Sequence, residues 1–381
     1  MIVSITNATP ETMIVAVGIL TAVLVSIRPA MSEPFFPVQM TTELKGLAIL
    51  MVIVSHIGYF LVNDHNFLVP FSNYAGVGVD IFFILSGYGL VAASLKRPLS
   101  VGQFYLKRLL RIYLPVVLTL IIFLLLDGFW LHRVYPADIT IKNVLGWFPQ
   151  ADLYRDIDSP LWFITPLLVY YLLFPILFWR RFSLLSALAI GCLSWLLIQY
   201  LPNWHIVTEG IFSLYRLHFL AFPLGMALGT LINQPPTYLR AGFEKCLNTI
   251  SSKKWIVVAL RWKIMILAAG TLVYTHYHSY VGLGWKKEQV TSLVLASAFL
   301  CLFLFKKVHS RILILFGTFS FEMYLLHWPL LYRYNVLYAW LPAGVATLGW
   351  ITILTACGYL YHRLTAKIFQ RLPGFSKKIS P

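Results

Sequence analysis

Residues 44–62 read LKGLAILMVIVSHIGYFLV, a stretch that is apolar apart from Lys45, Ser55, His56 and the Tyr59 hydroxyl. At 1.5 Å per residue, a helix of this length crosses about 30 Å of hydrocarbon. Ten further segments have comparable length and character: 12–27, 74–95, 112–130, 161–179, 183–201, 213–232, 262–281, 289–305, 312–331 and 343–361. No linker or polar domain interrupts them. The pattern predicts an all-α, polytopic integral membrane protein of about 11 transmembrane helices. Residues 1–43 would form an extra N-terminal span and connector, 44–361 one membrane domain, and 362–381 a basic tail.

Composition leads to the same class. Of 381 residues, 59% are hydrophobic and 12% charged, about half the charged share of soluble domains, which excludes a soluble enzyme. The net charge of +16 lies in short clusters between apolar runs, which fits membrane anchoring and not a nucleic-acid partner. Cys192, Cys246, Cys301 and Cys357 are widely separated and form no metal spacing, so neither a disulfide framework nor a bound metal is expected. The first apolar run has no basic stretch before it, which predicts a retained segment and not a cleaved leader.

Orientation follows from lysine and arginine. With the C-terminus inside, 23 of the 30 fall on the inner side, including Arg28, Lys45, Arg108, Arg111, Arg180, Lys306 and Arg363. The inner set also includes Arg240, Lys245, Lys253, Lys377 and Lys378. The outer side holds Arg133, Lys142, Arg155, Arg216, Lys286, Lys287 and Arg333. This asymmetry predicts a multi-pass plasma-membrane (bacterial inner-membrane) protein with a cytoplasmic tail. The longest outer loop, 131–160, gathers Asp138, Asp152, Asp156, Asp158 and Trp147, and reads as a solvated loop or a saccharide surface.

Ionisable residues within spans are costly, so each asks for a reason. Lys45 and His56 are eleven positions apart on one helix face, roughly 16 Å along the axis. Asp80 in the next span matches His56 in distance from the outer surface, so a hairpin would place its carboxylate beside the imidazole. Glu322 matches His56 in distance from the inner surface and is the alternative partner; hairpin neighbours favour Asp80. Arg108 and Arg111, three apart at a helix start, present two guanidinium forks suited to phosphate. His327 lies roughly 24 Å beyond Arg311 toward the outside, within reach of an outer ligand. Gly225 and Gly229 suit close helix packing. Tyr59, Trp130 and Trp162 stand at span ends, where aromatic anchors concentrate.

These residues resemble the motifs of the acyltransferase 3 superfamily of integral membrane O-acyltransferases, over most of the chain from Lys45 to Leu331. Lys45 and His56 resemble its basic-x10-His motif. Gly78, Val79, Asp80, Phe82, Phe83, Ser86 and Gly87 are similar to its Gly-Val-Asp, aromatic and Ser-Gly stretch. Arg108, Arg111 and Pro115 resemble its paired arginines, and Ser320, Tyr324, Leu326, His327 and Pro329 its Leu-His-x-Pro segment. Leu161, Trp162, Phe163 and Ile164 depart from the family's Leu-Trp-Ser-Leu stretch, and the glutamates that follow it there are Leu167 and Leu168 here. The role of that acid is therefore not carried over.

The resemblance implies transfer of an acyl group, most simply acetyl, from cytoplasmic acetyl-CoA or another acyl-CoA to a hydroxyl of an exported polysaccharide or lipid-linked glycan. The partners would be acyl-CoA, that glycan, membrane lipids and glycan-export proteins. Such a reaction needs a base for the acceptor hydroxyl, for which His56 is the candidate with Asp80 as its partner. Lys45, Arg108 and Arg111 would bind the donor, and His327, Tyr324, Glu322 and Trp162 the acceptor. A multi-span transporter or flippase is the competing class, since mid-membrane ionisable groups also describe carriers.

Overall fold

A computed structural model describes residues 2–29, 36–69, 71–98, 100–234, 254–278 and 281–372. Cys246, Arg240, Lys245, Lys253 and, from the predicted tail, residues 373–381 with Lys377 and Lys378 lie outside these residues. The chain forms α1 (Ala8–Val25), β1 (Ile27–Pro29), α2 (Val38–His56), α3 (Ala75–Lys96), α4 (Val101–Trp130), α5 (Ala137–Val144), α6 (Ile164–Leu177) and α7 (Ser183–Tyr200). It continues through α8 (Glu209–His218), α9 (Ala221–Asn233), α10 (Lys254–Tyr277), α11 (Trp285–Phe305), β2 (Val308–Ser310), α12 (Arg311–Thr318), α13 (Ser320–Arg333) and α14 (Ala343–Arg371). Among the described residues nine helical stretches are long and apolar enough to cross a membrane, ten if the bent pair α12–α13 counts as one span. The predicted segment 262–281 falls on α10, whose apolar part is only Trp262–Thr275. The fold is that of an all-α polytopic membrane protein, with one two-stranded antiparallel ribbon of β1 and β2.

α2 sits at the centre: from Leu44 to Leu61 most side chains are buried, because α3, α12 and α13 surround it. Backbones approach closely where side chains are smallest. A Cβ on Gly46 would collide with the Leu313 carbonyl of α12, and one on Gly317 with the Thr42 carbonyl of α2. The same reciprocity joins α3 to α9, where Gly87 faces the Phe222 carbonyl and Gly225 the Ile84 carbonyl, as small-xxx-small pairs do in membrane helices. After docking on α2, the chain bends by 76° between α12 and α13. That bend carries α13 across the opposite half of α2. At His56 the α-helix gives way to a π-helical turn, Ile57–Leu61, a feature common at functional sites.

Two polar clusters fix the ends of this core. At the basic edge the fully buried Glu43 accepts from Lys306 Nζ (2.8 Å), His309 Nδ1 (2.7 Å) and the Ser310 amide (2.5 Å), tying α2 to the ribbon. At the other edge, buried Asp127 of α4 pairs with Arg333 (3.2 Å) and accepts from Tyr334 (2.7 Å) and Tyr135 (2.5 Å). Arg333 also donates to the carbonyls of Asp156 and Ile157. The loop 131–160 is consequently not uniformly solvated. Asp138 is an exposed partner of Lys142, whereas Asp156 and Asp158 are buried under the Arg333 cluster.

Two outcomes follow. Glu43→Ala leaves the Lys306 ammonium, the His309 ring and an amide without their buried acceptor, so it should cost about 3–5 kcal/mol and lower the unfolding temperature in detergent far more than Asp138→Ala. Asp158, 2% exposed with neither carboxylate oxygen hydrogen-bonded, is held by burial well above the ordinary carboxylate range. The unfolded chain ionises it from about pH 4 upward while the folded chain keeps its proton, so folded-state stability falls as pH rises through that window. Asp158→Asn should match the parent near pH 4 and gain on it progressively toward neutral pH, by about 1.4 kcal/mol for each pH unit separating the two states' pKa values. A thermal-melt series across pH checks both the sign and the window.

Candidate active site

His56, at the end of α2, meets His327 of α13: their rings stack at 4.9 Å between centroids, and His56 Nδ1 lies 2.7 Å from His327 Nε2. The remaining nitrogen of His327, Nδ1, is 2.6 Å from the Tyr324 carbonyl, one turn earlier on α13. A carbonyl only accepts, so His327 Nδ1 carries hydrogen. A second proton on Nε2 would leave an imidazolium at 0% exposure with no carboxylate bonded to it. His327 Nε2 is therefore an acceptor, His56 Nδ1 donates to it, and His56 Nε2 keeps its lone pair. No hydrogen bond reaches His56 Nε2 among the described residues. His56 is partly exposed, onto a cavity of about 380 Å3 that also includes Tyr59, Trp162, Glu288 and Tyr324.

This overturns the pairing expected from depth. Asp80 does not touch His56; its Oδ1 accepts from His218 Nδ1 at 2.8 Å and its Oδ2 from Ser292 Oγ at 2.5 Å. Helix rotation explains the difference. α3 turns Asp80 toward α8 and α11 and presents Gly78 to the Ala48 carbonyl of α2 instead. Glu322 does not reach His56 either, being bonded to His362 of α14 at 2.7 Å. His327, expected to contact an outer ligand, is buried behind His56 and is not part of that cavity's lining.

Lys45, Arg108 and Arg111, expected together, do come together. They line a second cavity of about 320 Å3, nearer the basic edge, with Ser86, Tyr171, Glu322 and Tyr324. Tyr324 belongs to both cavities. It is 4% exposed, its hydroxyl donates to the Pro160 carbonyl, and its own carbonyl holds His327. Trp162 is 8% exposed and stacks on His218 at 5.7 Å, so it is a wall of the His56 cavity and not an interface anchor. Trp130, at the end of α4, is 77% exposed.

A basic cavity and a histidine cavity thus stand back to back across one tyrosine. A family model described as an acyltransferase domain matches residues 44–362, which is most of the chain. The chain belongs to the acyltransferase 3 family. No curated protein and no solved structure gives a match. Membership makes the chain a membrane-bound acyltransferase, and an acyltransferase requires a donor site, an acceptor site and a proton acceptor between them.

Sequence reasoning missed His218, Ser292 and Ser55. His218 carried a usable signal, an ionisable residue within the apolar segment 213–232. The two serines carried none, since serine is common in spans. His327→Leu should lower turnover by about tenfold or more while donor binding stays unchanged, and His327→Gln, whose amide oxygen still accepts from His56 Nδ1, should recover part of the loss. Steady-state kinetics of the two variants check this.

Proposed function

We propose that the chain is an O-acyltransferase, an O-acetyltransferase in the simplest case, of the bacterial inner membrane with its C-terminus in the cytoplasm. It moves an acyl group from cytoplasmic acyl-CoA to a hydroxyl of an exported polysaccharide or lipid-linked glycan. The observation that carries this reading is the position of Tyr324, shared by the basic cavity and the His56 cavity. Lys45, Arg108 and Arg111 supply cationic donors for the phosphates of the donor, and the thioester arm extends along the Lys45–His56 face of α2 toward Tyr324.

In this mechanism the acceptor hydroxyl hydrogen-bonds to His56 Nε2. As the hydroxyl oxygen attacks the thioester carbonyl, its proton passes to Nε2. His56 is then an imidazolium whose Nδ1–H points at His327 Nε2, so the positive charge is shared with a second imidazole where other enzymes use a carboxylate. Collapse of the tetrahedral intermediate breaks the carbon–sulfur bond, and the departing thiolate takes the proton from His56 Nε2. The products are the ester and free CoA, and both histidines return to their starting tautomers. Asp80 and Glu322 have no direct part in these proton transfers.

His56→Ala should lower kcat by about 10²–10⁴-fold with the protein still folded and inserted. The measurement is acetyl transfer from labelled acetyl-CoA onto cell-envelope glycan, and a well-folded variant at full rate contradicts the mechanism. The double variant Arg108→Ala/Arg111→Ala should weaken acyl-CoA binding by calorimetry, with lysines restoring only part because an ammonium lacks the planar fork. Unchanged binding would assign both arginines to topology.

A further inference from the structure

His218 ends α8, where the span breaks at Phe219 and Leu220 before α9. Its ring is buried, yet it lines the His56 cavity and an adjoining apolar cavity of about 270 Å3. Asp80 Oδ1 accepts from His218 Nδ1, which fixes the ring and leaves Nε2 as its unbonded edge. Asp80 Oδ2 is occupied by the Ser292 hydroxyl, and the Trp162 ring, inclined 24° to the imidazole, holds its plane. No hydrogen bond reaches His218 Nε2 among the described residues. The cavity therefore contains a second imidazole held through its Nδ1, with Nε2 unbonded among the described residues.

A fully buried carboxylate within a span is expensive, and helix packing alone could be met by apolar residues. A second observation points to a ligand. Ser55, 1% exposed and on the wall of the same cavity, has no hydrogen-bond partner for its Oγ. Buried orphan groups are rare, and one on a cavity wall calls for a partner from the cavity. The cavity thus offers two imidazole nitrogens and a hydroxyl, none with a protein partner among the described residues, between aromatic walls.

We propose that His218 is an acceptor-binding residue: its Nε2 is hydrogen-bonded to a second hydroxyl of the acceptor while the first is aligned on His56 Nε2. This rests on the acyltransferase reading above and narrows it. The cavity selects a polyhydroxylated ring, a saccharide, over a simple alcohol, and His218 determines which hydroxyl is acylated. Asp80 is a positioning residue that acts by fixing the His218 ring.

The test uses the full chain in lipid nanodiscs, labelled acetyl-CoA, and methyl hexopyranosides with their monodeoxy analogues as probes. His218→Asn keeps an amide for Asp80 and removes Nε2. It should lower kcat/KM for the parent glycoside by about 10- to 100-fold, chiefly through KM, with the KM for acetyl-CoA unchanged. One monodeoxy glycoside should show the same loss on the unmodified protein and no further loss on the variant. Asp80→Asn, which removes the carboxylate that fixes the ring, should give the same split. The deoxy series on the unmodified protein does not depend on the folding of any variant. Unchanged acceptor kinetics in folded His218→Asn, equal sensitivity of both proteins to every deoxy probe, or acetylation of a simple alcohol as readily as of a glycoside would overturn the proposal. Acetyl-CoA turnover with cell-envelope extract but with no glycoside overturns this subsite and leaves the acyltransferase reading intact. Turnover with neither overturns both.

Discussion

The Tyr324 carbonyl can accept a hydrogen bond but never donate one, and the chemistry of the site is set from that end. It fixes the proton of His327 on Nδ1, which makes Nε2 an acceptor, which in turn fixes the proton of His56 on Nδ1. In the proposed mechanism this makes His56 a base with its lone pair on Nε2, the nitrogen of that ring left without a protein partner among the described residues. Nothing in this chain of bonds needs a buried carboxylate, and that spares the membrane interior an isolated negative charge beside the reacting atoms. The ring of the same tyrosine stands between the basic cavity and the histidine cavity, so one residue both separates the compartments and orients the base.

The fold delivers this arrangement through close backbone contacts and two polar clamps. Gly46 and Gly317 let α12 lie against the basic half of α2, and the 76° bend that follows brings α13 to His56 at the other half. Glu43 holds the first contact through Lys306 and His309, and the Asp127–Arg333 pair holds the far end of α13. Arg333 also carries the carbonyls of residues 156 and 157, which sets the position of Pro160, the acceptor of the Tyr324 hydroxyl. The distance between the two histidines is therefore controlled from both edges of the membrane domain.

The sequence made some of this legible and hid the rest for physical reasons. Apolar length revealed the spans, since a membrane helix must satisfy its own backbone. The spacing of Arg108 and Arg111 and the axial position of Lys45 placed the basic cavity, because both are local properties of single helices. The partner of His56 was not local. Depth along two helices cannot show how each is rotated, so Asp80 and Glu322 matched His56 in height while facing His218 and His362. His327 was recognised as a residue of interest, but its bond to His56 depends on a bend between α12 and α13 that the continuous apolar run 312–331 does not reveal. Arg333, counted only as an outer charge, is the centre of a buried network.

The tautomer of His56 in the lipid bilayer is the quantity on which this account turns. Solid-state nitrogen NMR of 15N-histidine-labelled protein at neutral pH reads it, with His56→Ala and His327→Gln used to assign the signals. The account requires a protonated Nδ1 and a bare Nε2 on His56, with a coupling across the hydrogen bond to His327 Nε2 that disappears in His327→Gln. A protonated Nε2 on His56, or two histidines without that coupling, would contradict it.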